Sequence, residues 1–343
     1  MKIVIAIDSF KGSASSLELG KMAKLGVLEA QPSAKVKVFE IADGGEGTVS
    51  ALQHGLSGQM ISVDTVDLME RPISADYLLA GKLAVIESAS VVGIDKISPS
   101  PETFEAATSL GLAALIKDAA VRGAEEVYLT LGGTGTSDGG LGLLKGLGDE
   151  RVPMLIGLAD VTNPYAGPQG YAHFFGKQKG GTKQQREAQD QAAQAVVADV
   201  KARLGLDLQS ISGTGAAGGL GGAIVMLGGH IEPGFAKVAE LLGIEQEIAT
   251  ADLVLTGEGR MDAQTANGKV PWGMAQLAAS YKVPTVALCG ALADDLGEMD
   301  QVLAGAYSIQ TRPINLEEAM KKERTLANMQ ALAKNIIKTR FTL

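Results

Sequence analysis

The densest chemistry in the chain follows an apolar run, Ala251–Thr256, which reads as a buried strand. Gly257-Glu258-Gly259-Arg260-Met261-Asp262 comes directly after it, with Gln264, Thr265, Gly268 and Lys269 close behind. Two carboxylates, a guanidinium and an ammonium thus crowd onto a glycine-flexed turn. Its place at the carboxyl end of a strand is where open α/β sheets bind ligands. No packing rule asks for these residues there. Together they suit an anionic, metal-bound substrate such as a nucleotide phosphate.

Other strand exits carry the same kind of residues. Asp8-Ser9-Phe10-Lys11-Gly12-Ser13 leaves the first strand and precedes a helix, whose free N-terminal amides favour phosphate. The competing reading is that Ser13 or Ser15 only caps that helix while Lys11 is solvated. Ala42-Asp43-Gly44-Gly45-Glu46-Gly47-Thr48 leaves the second strand. Gly44 and Gly45 there let backbone approach a ligand, and Asp43 and Glu46 either bind magnesium or serve as helix cap and dipole partner. Gly132-Gly133-Thr134-Gly135-Thr136-Ser137-Asp138 has the glycines and hydroxyls of a backbone nest for phosphate oxygens, with Asp138 placed to handle metal or a substrate proton. Downstream, Asp160-Val161-Thr162-Asn163-Pro164 is followed by Lys177 and Lys179, local positive charge in an acidic protein.

Gly213-Thr214-Gly215-Ala216-Ala217-Gly218 matches the dinucleotide fingerprint G-x-G-x-x-G. Its context argues against a dehydrogenase: Leu206–Ser212 makes a poor buried strand, and the acid that follows, Glu232, abuts Pro233 with no strand end to sit on. There is no G-x-x-x-x-G-K-[ST] sequence, so a kinase here lies outside the P-loop class. His54, His173 and His230 are isolated, and none forms a metal pair at helical spacing.

Lys2–Ile7, Lys35–Ile41, Asp252–Thr256, Pro284–Cys289 and Ala304–Ile309 have the continuous apolar character of strands buried on both faces. Helical patterns follow at Ser16–Ala30, Glu46–Gly55, Asn267–Tyr281 and Leu316–Lys338. This is a doubly wound βα alternation, and the economical topology is a flavodoxin-like parallel sheet of order 2-1-3-4-5. The interval between has a different texture. Met60–Val66, Ile73–Leu79 and Leu83–Ser88 suggest antiparallel strands, followed by a helix at Pro101–Arg122 and a strand at Glu126–Leu131. The expectation is a discontinuous domain, 1–56 and 235–343, with a second α/β domain inserted at 57–234. Gln184–Leu204 reads as a solvated covering helix.

Composition agrees with an α/β enzyme. Of 343 residues, 46% are hydrophobic, only 4% are aromatic, and 44 are Gly, as many tight strand-to-helix turns require. A net charge of −9 argues against a nucleic-acid partner. No apolar run approaches the ~20 residues of a membrane span, and the first residues have the wrong flanks for a signal peptide. With Cys289 as the single cysteine there is no intramolecular disulfide, which suits a cytoplasmic protein.

Taken in order over essentially the whole chain, these loops resemble those of the type I glycerate kinases, the bacterial glycerate 2-kinase group. The segments are Asp8–Ser13, Ala42–Thr48, Gly132–Gly140, Asp160–Pro164 with Gly167-Pro168, Phe175-Gly176 with Gln178-Lys179-Gly180, Gly213–Gly219, and Thr256–Arg260 through Lys269. The resemblance implies a flavodoxin-like domain paired with a second α/β domain. It implies phosphorylation of D-glycerate by ATP with Mg2+, most readily at the 2-hydroxyl. On that footing Lys11 and Arg260 bind the glycerate carboxylate or the transferring phosphoryl, and Asp43, Glu46 and Glu258 handle magnesium or substrate hydroxyls. Asp8, Asp138 and Asp262 are candidate general bases. Gly133, Thr134, Thr136 and Ser137, together with Gly213 and Gly215, would cradle nucleotide phosphates that Lys179 and Lys269 neutralise, and Ser9, Gly44, Gly45 and Gln264 complete the binding set. The chain departs from the pattern in a shortened stretch at Asp149–Ala159, in Ser137 for a usual asparagine, in Leu110 for an aromatic and in an arginine missing before Thr108. Those changes bear on substrate identity. The alternatives are a kinase of the same fold acting on another small hydroxy acid, and a non-catalytic nucleotide or glycerate sensor.

Overall fold

The structure, a computed structural model, describes residues 1–341. Its strands in chain order are β1 (Lys2–Ile7), β2 (Lys35–Phe39), β3 (Gln59–Val66), β4 (Pro72–Ala80), β5 (Leu83–Glu87), β6 (Glu126–Thr130), β7 (Met154–Leu158), β8 (His230–Glu232), β9 (Leu253–Gly257), β10 (Arg260–Met261), β11 (Thr285–Cys289), β12 (Ala291–Leu292) and β13 (Gly305–Ser308). They divide between two compact units. The first comprises Met1–Asp43, Ser50–Gly55 and the chain from Phe235 onward; the second comprises Gly44–Val49 and Leu56–Gly234.

In the first unit, five strands form one sheet of order β13-β11-β9-β1-β2, parallel throughout. Renumbered within the unit this is the 2-1-3-4-5 order of the flavodoxin-like fold. Ile3, Ile5 and Ile7 of β1, with Leu253 and Leu255 of β9, bury one face against Leu19, Ala23, Met329 and Ala333 from helices Ser16–Ala30 and Lys322–Phe341. The helix Val270–Ser280 packs against β9 and β11, while Ala287 and Cys289 join Met261, Leu296 and Met299 in a separate core. Every β9 residue is buried, so its polar successors emerge only at the carboxyl end.

The second unit is built on a six-stranded mixed sheet, β3-β4-β5-β6-β7-β8. β3, β4 and β5 pair antiparallel as the sequence texture indicates, and β5 through β8 run parallel. Its main core gathers Ile86, Leu129 and Leu155 with Leu112, Leu115, Ile116 and Leu143. A second cluster places Tyr165 and Tyr171 over Ala193 and Val200. Helix Lys183–Leu204 buries only Asp190, Ala193 and Val200, as a solvated covering helix should.

Local differences from the sequence reading have physical causes. The second strand stops at Phe39 because the Ile41 amide bonds the Ser16 hydroxyl (2.9 Å) instead of the sheet. The helix expected from Glu46 begins at Thr48, since Gly47 adopts φ +88° at its N-cap. Pro101–Arg122 splits into helices Pro101–Ala106 and Leu112–Val121, the connecting Ser109 bonding Asp138 through both its amide and its hydroxyl (2.8 Å each). Leu316–Lys338 divides into Leu316–Ala319, capped by Asn315, and the longer Lys322–Phe341. No helix among the described residues is long and apolar enough to cross a membrane.

Candidate active site

Ligand-sized space lies at the carboxyl ends of the strands in the first unit. A cavity of about 730 Å3 is lined by Asp8, Ser9 and Lys11 after β1, Asp43 after β2, Glu258 and Arg260 after β9, and Lys269. Parallel pairing of β1 with β2 and β9 brings these exits side by side, and the β9 exit is pinned by short register bonds: Asp8 N donates to Gly257 O (2.9 Å) and Gly290 N to Glu258 O (3.1 Å). Gly257 must lack a side chain, since a Cβ there would stand 1.9 Å from the Leu288 carbonyl oxygen.

Electrostatics separate the acids. Asp8 accepts the Ser9 amide at 2.7 Å. Burial, reinforced by the charges of Asp43 and Glu258, pushes its carboxyl up from the usual carboxylate range to about 7. Glu258, 5% exposed, accepts from the Thr265 hydroxyl and from Lys269 Nζ at 3.1 Å. Burial still holds its carboxyl above the ordinary value, against the opposing pull of both partners. Arg260 makes no ion pair or side-chain hydrogen bond among the described residues. An unpaired guanidinium beside buried acids is suited to a planar anion.

Asp262 and Gln264 are not among the cavity-lining residues. Asp262 caps the short helical turn Ala263–Ala266, its Oδ1 accepting the Gln264 amide at 2.9 Å, which orients the segment that carries Lys269. The acids Asp43, Glu46 and Glu258 do not assemble as one metal group; among the described residues no three His, Cys, Asp or Glu side chains do. Asp43 fits the sparser mode of a magnesium ion held by one or two carboxylates plus substrate phosphates, because a divalent cation would relieve its repulsion with Asp8.

In the second unit the glycine loops sort into accessible and buried parts. Gly45, Gly132 and Gly133 are the accessible ones, at the carboxyl ends of the parallel strands, where a Cβ on Gly132 would lie 3.2 Å from Gly45 Cα; Gly44 is buried, and a Cβ on it would lie 2.5 Å from Gly234 Cα. Glu87, at the end of β5, accepts the Gly47 amide at 3.0 Å. Its burial, and to a lesser degree the nearby Glu46, raise its carboxyl. Sequence reasoning missed Glu87 because nothing around it forms a motif, though its position at a parallel-strand end is the signal that could have found it.

The remaining predicted residues turn inward. Lys179 is 3% exposed and donates to the Thr136 carbonyl (2.6 Å) and the Thr134 hydroxyl (3.3 Å), so it braces the 132–137 loop from beneath. Burial lowers its ammonium to about 8. Thr134, Thr136 and Ser137 are buried with it. Asp138 accepts from Ser109, Gly140 and Gly142, at 2.8 to 3.1 Å, which ties the loop to the next helix and leaves little capacity for a substrate proton. Gly213 and Gly215 lie in a fully buried turn. A Cβ on Gly215 would reach within 2.2 Å of the Pro164 carbonyl oxygen, and one on Gly218 within 2.0 Å of that of Thr136. The fingerprint glycines therefore answer to backbone packing.

Acids and cations gathered at the ends of parallel strands, with glycine backbone exposed at a second sheet, define an α/β enzyme that handles small phosphorylated or carboxylated molecules. The chain belongs to the glycerate kinase family, whose sequence model matches residues 3–152 and 149–340, and it is a kinase. The two matched stretches overlap at 149–152. It is 32% identical to the glycerate kinase of Bacillus cereus, over 98% of this chain and 97% of that protein. It is also 32% identical to the glycerate 2-kinase of Escherichia coli, over 94% and 93%. A crystal structure described as glycerate kinase 2 of Salmonella typhimurium superposes with a TM-score of 0.85 at 32% identity, covering 99% of this chain and 98% of that one.

Proposed function

We propose that this protein transfers the γ-phosphoryl group of ATP, in the presence of magnesium, to the 2-hydroxyl of D-glycerate. The observation that carries the reading is the convergence of Asp8, Lys11, Asp43, Glu258 and Arg260 on one cavity at the carboxyl ends of β1, β2 and β9. The 2-hydroxyl is favoured by the Escherichia coli relative, which is named for it.

Phosphoryl transfer asks mainly for positioning and charge neutralisation. Lys11 and Arg260 hold the glycerate carboxylate or the transferring phosphoryl. Asp8, held near neutrality by burial, accepts the hydroxyl proton as the oxygen forms its bond to the γ-phosphorus and the bond to the bridging oxygen breaks, releasing ADP. Magnesium, if held by Asp43 together with phosphate oxygens, would supply positive charge to the phosphoryl group. Lys269 keeps Glu258 in place, and the accessible backbone of Gly45 and Gly132–Gly133 is the surface that suits nucleotide phosphates.

The test is a coupled ADP-release assay with ATP, magnesium and a panel of hydroxy acids. Glycerate-dependent ADP formation supports the reading. ADP formation with a different acid alone would replace it with a kinase of the same fold and altered specificity.

A further inference from the structure

Beside Lys11, Arg260 and Lys269 the cavity has a fourth cation, one that no motif announces. Arg312 lies on the segment after β13, which contributes Gln310, Arg312, Pro313, Ile314, Leu316 and Met320 to the lining. The segment is held at both ends: the Ile309 amide bonds the Cys289 carbonyl (2.8 Å), and the Asn315 side chain caps the next helix by accepting the Glu318 amide (2.9 Å). Between these anchors Arg312 makes no ion pair or side-chain hydrogen bond among the described residues.

Its surroundings differ from those of Arg260. Arg260 follows the buried Glu258 by two residues, in a cavity that Asp8 and Asp43 also line. The stretch around Arg312 contributes no acidic side chain to the lining, only Gln310 and apolar neighbours. The guanidinium fork matches a carboxylate in two parallel hydrogen bonds.

Resting on the kinase reading above, we infer that Arg312 binds the carboxylate of the acceptor and makes the enzyme selective for hydroxy acids over uncharged alcohols, which leaves Lys11 and Arg260 to the transferring phosphoryl. Arg312 is then a specificity residue.

The experiment compares wild type, Arg312→Met and Arg312→Lys for KM and kcat with glycerate, for KM with ATP, and for turnover of glyceramide, the uncharged amide of glycerate. The expected result is a rise of about 10- to 100-fold in KM for glycerate in Arg312→Met with the KM for ATP unchanged. Arg312→Lys recovers part of the loss, and the preference of wild type for glycerate over glyceramide collapses in Arg312→Met. An unchanged KM for glycerate, or a rise in the KM for ATP instead, overturns the assignment while leaving the kinase reading standing. Absence of glycerate turnover in the wild type overturns both. An unchanged thermal midpoint separates lost binding from lost folding.

Discussion

Asp8 concentrates the tension between stability and function in one carboxyl. Its folded pKa of about 7 lies above the ordinary 3.8, so the folded chain keeps a proton that the unfolded chain has already released. The resulting stabilisation is complete below the unfolded value and is lost as pH rises through about 7. Asp8→Asn should therefore cut kcat by about 100- to 10,000-fold. The same variant should raise metal-free stability at pH 8 by about 1–3 kcal/mol, read by urea unfolding. Equal loss of activity and stability would point to a structural role. Lys179 has the opposite sign. Its folded pKa is lowered from 10.5 to about 8. Its cost is full below the folded value and fades as pH rises from there toward the unfolded one, so stability from this group increases over that window. Lys179→Met should flatten that rise in unfolding measured from pH 7 to pH 10. It should also cost about 2–4 kcal/mol at neutral pH, because the Thr136 carbonyl loses its buried donor. An exposed phosphate-binding lysine would do neither.

At the level of elements, the glycine turn Gly213–Gly219 separates a sequence motif from its physical cause. Ala217, Gly218 and Gly219 all adopt positive φ, and Gly218 sits against the 136–137 backbone. Gly218→Ala should destabilise by about 2–4 kcal/mol in thermal or chemical unfolding. If the turn instead served a nucleotide, the KM for ATP would move while stability stayed put. The same contrast explains what the sequence discloses. Continuous apolar runs such as Lys2–Ile7 and Thr285–Cys289 identify buried parallel strands because burial on both faces leaves no other composition. Residues at strand exits, Asp8, Asp43, Glu258 and Arg260, are legible for the same topological reason. Asp138, Lys179 and Gly215 are not, since whether a polar or glycine residue faces ligand or backbone depends on partners distant in the chain, such as Ser109 for Asp138 and Pro164 for Gly215. Arg312 and Glu87 escape notice because a single charge after a strand has no local pattern.

For the whole molecule, the proposed ligand chemistry has residues in each of the two units. Acids and cations line the cavity of the first, and accessible glycine backbone marks the second. Hydrogen exchange should register this division: ATP with magnesium slowing exchange at Gly44–Gly47 and Gly132–Gly133, and glycerate alone slowing it around Arg312. Protection of the buried Gly213–Gly219 turn by ATP, with none at Gly132–Gly133, would reassign the phosphate surface. Chelation of magnesium should abolish ADP formation, with recovery on its return, since a carboxylate such as Asp43 needs a divalent cation to hold a polyphosphate beside it. The most direct measurement is phosphorus NMR of the product formed from ATP, magnesium and D-glycerate. The account predicts a single new resonance, that of 2-phosphoglycerate, appearing in step with ADP. A 3-phosphoglycerate resonance would contradict the acceptor assignment, and inorganic phosphate alone would contradict glycerate as the acceptor.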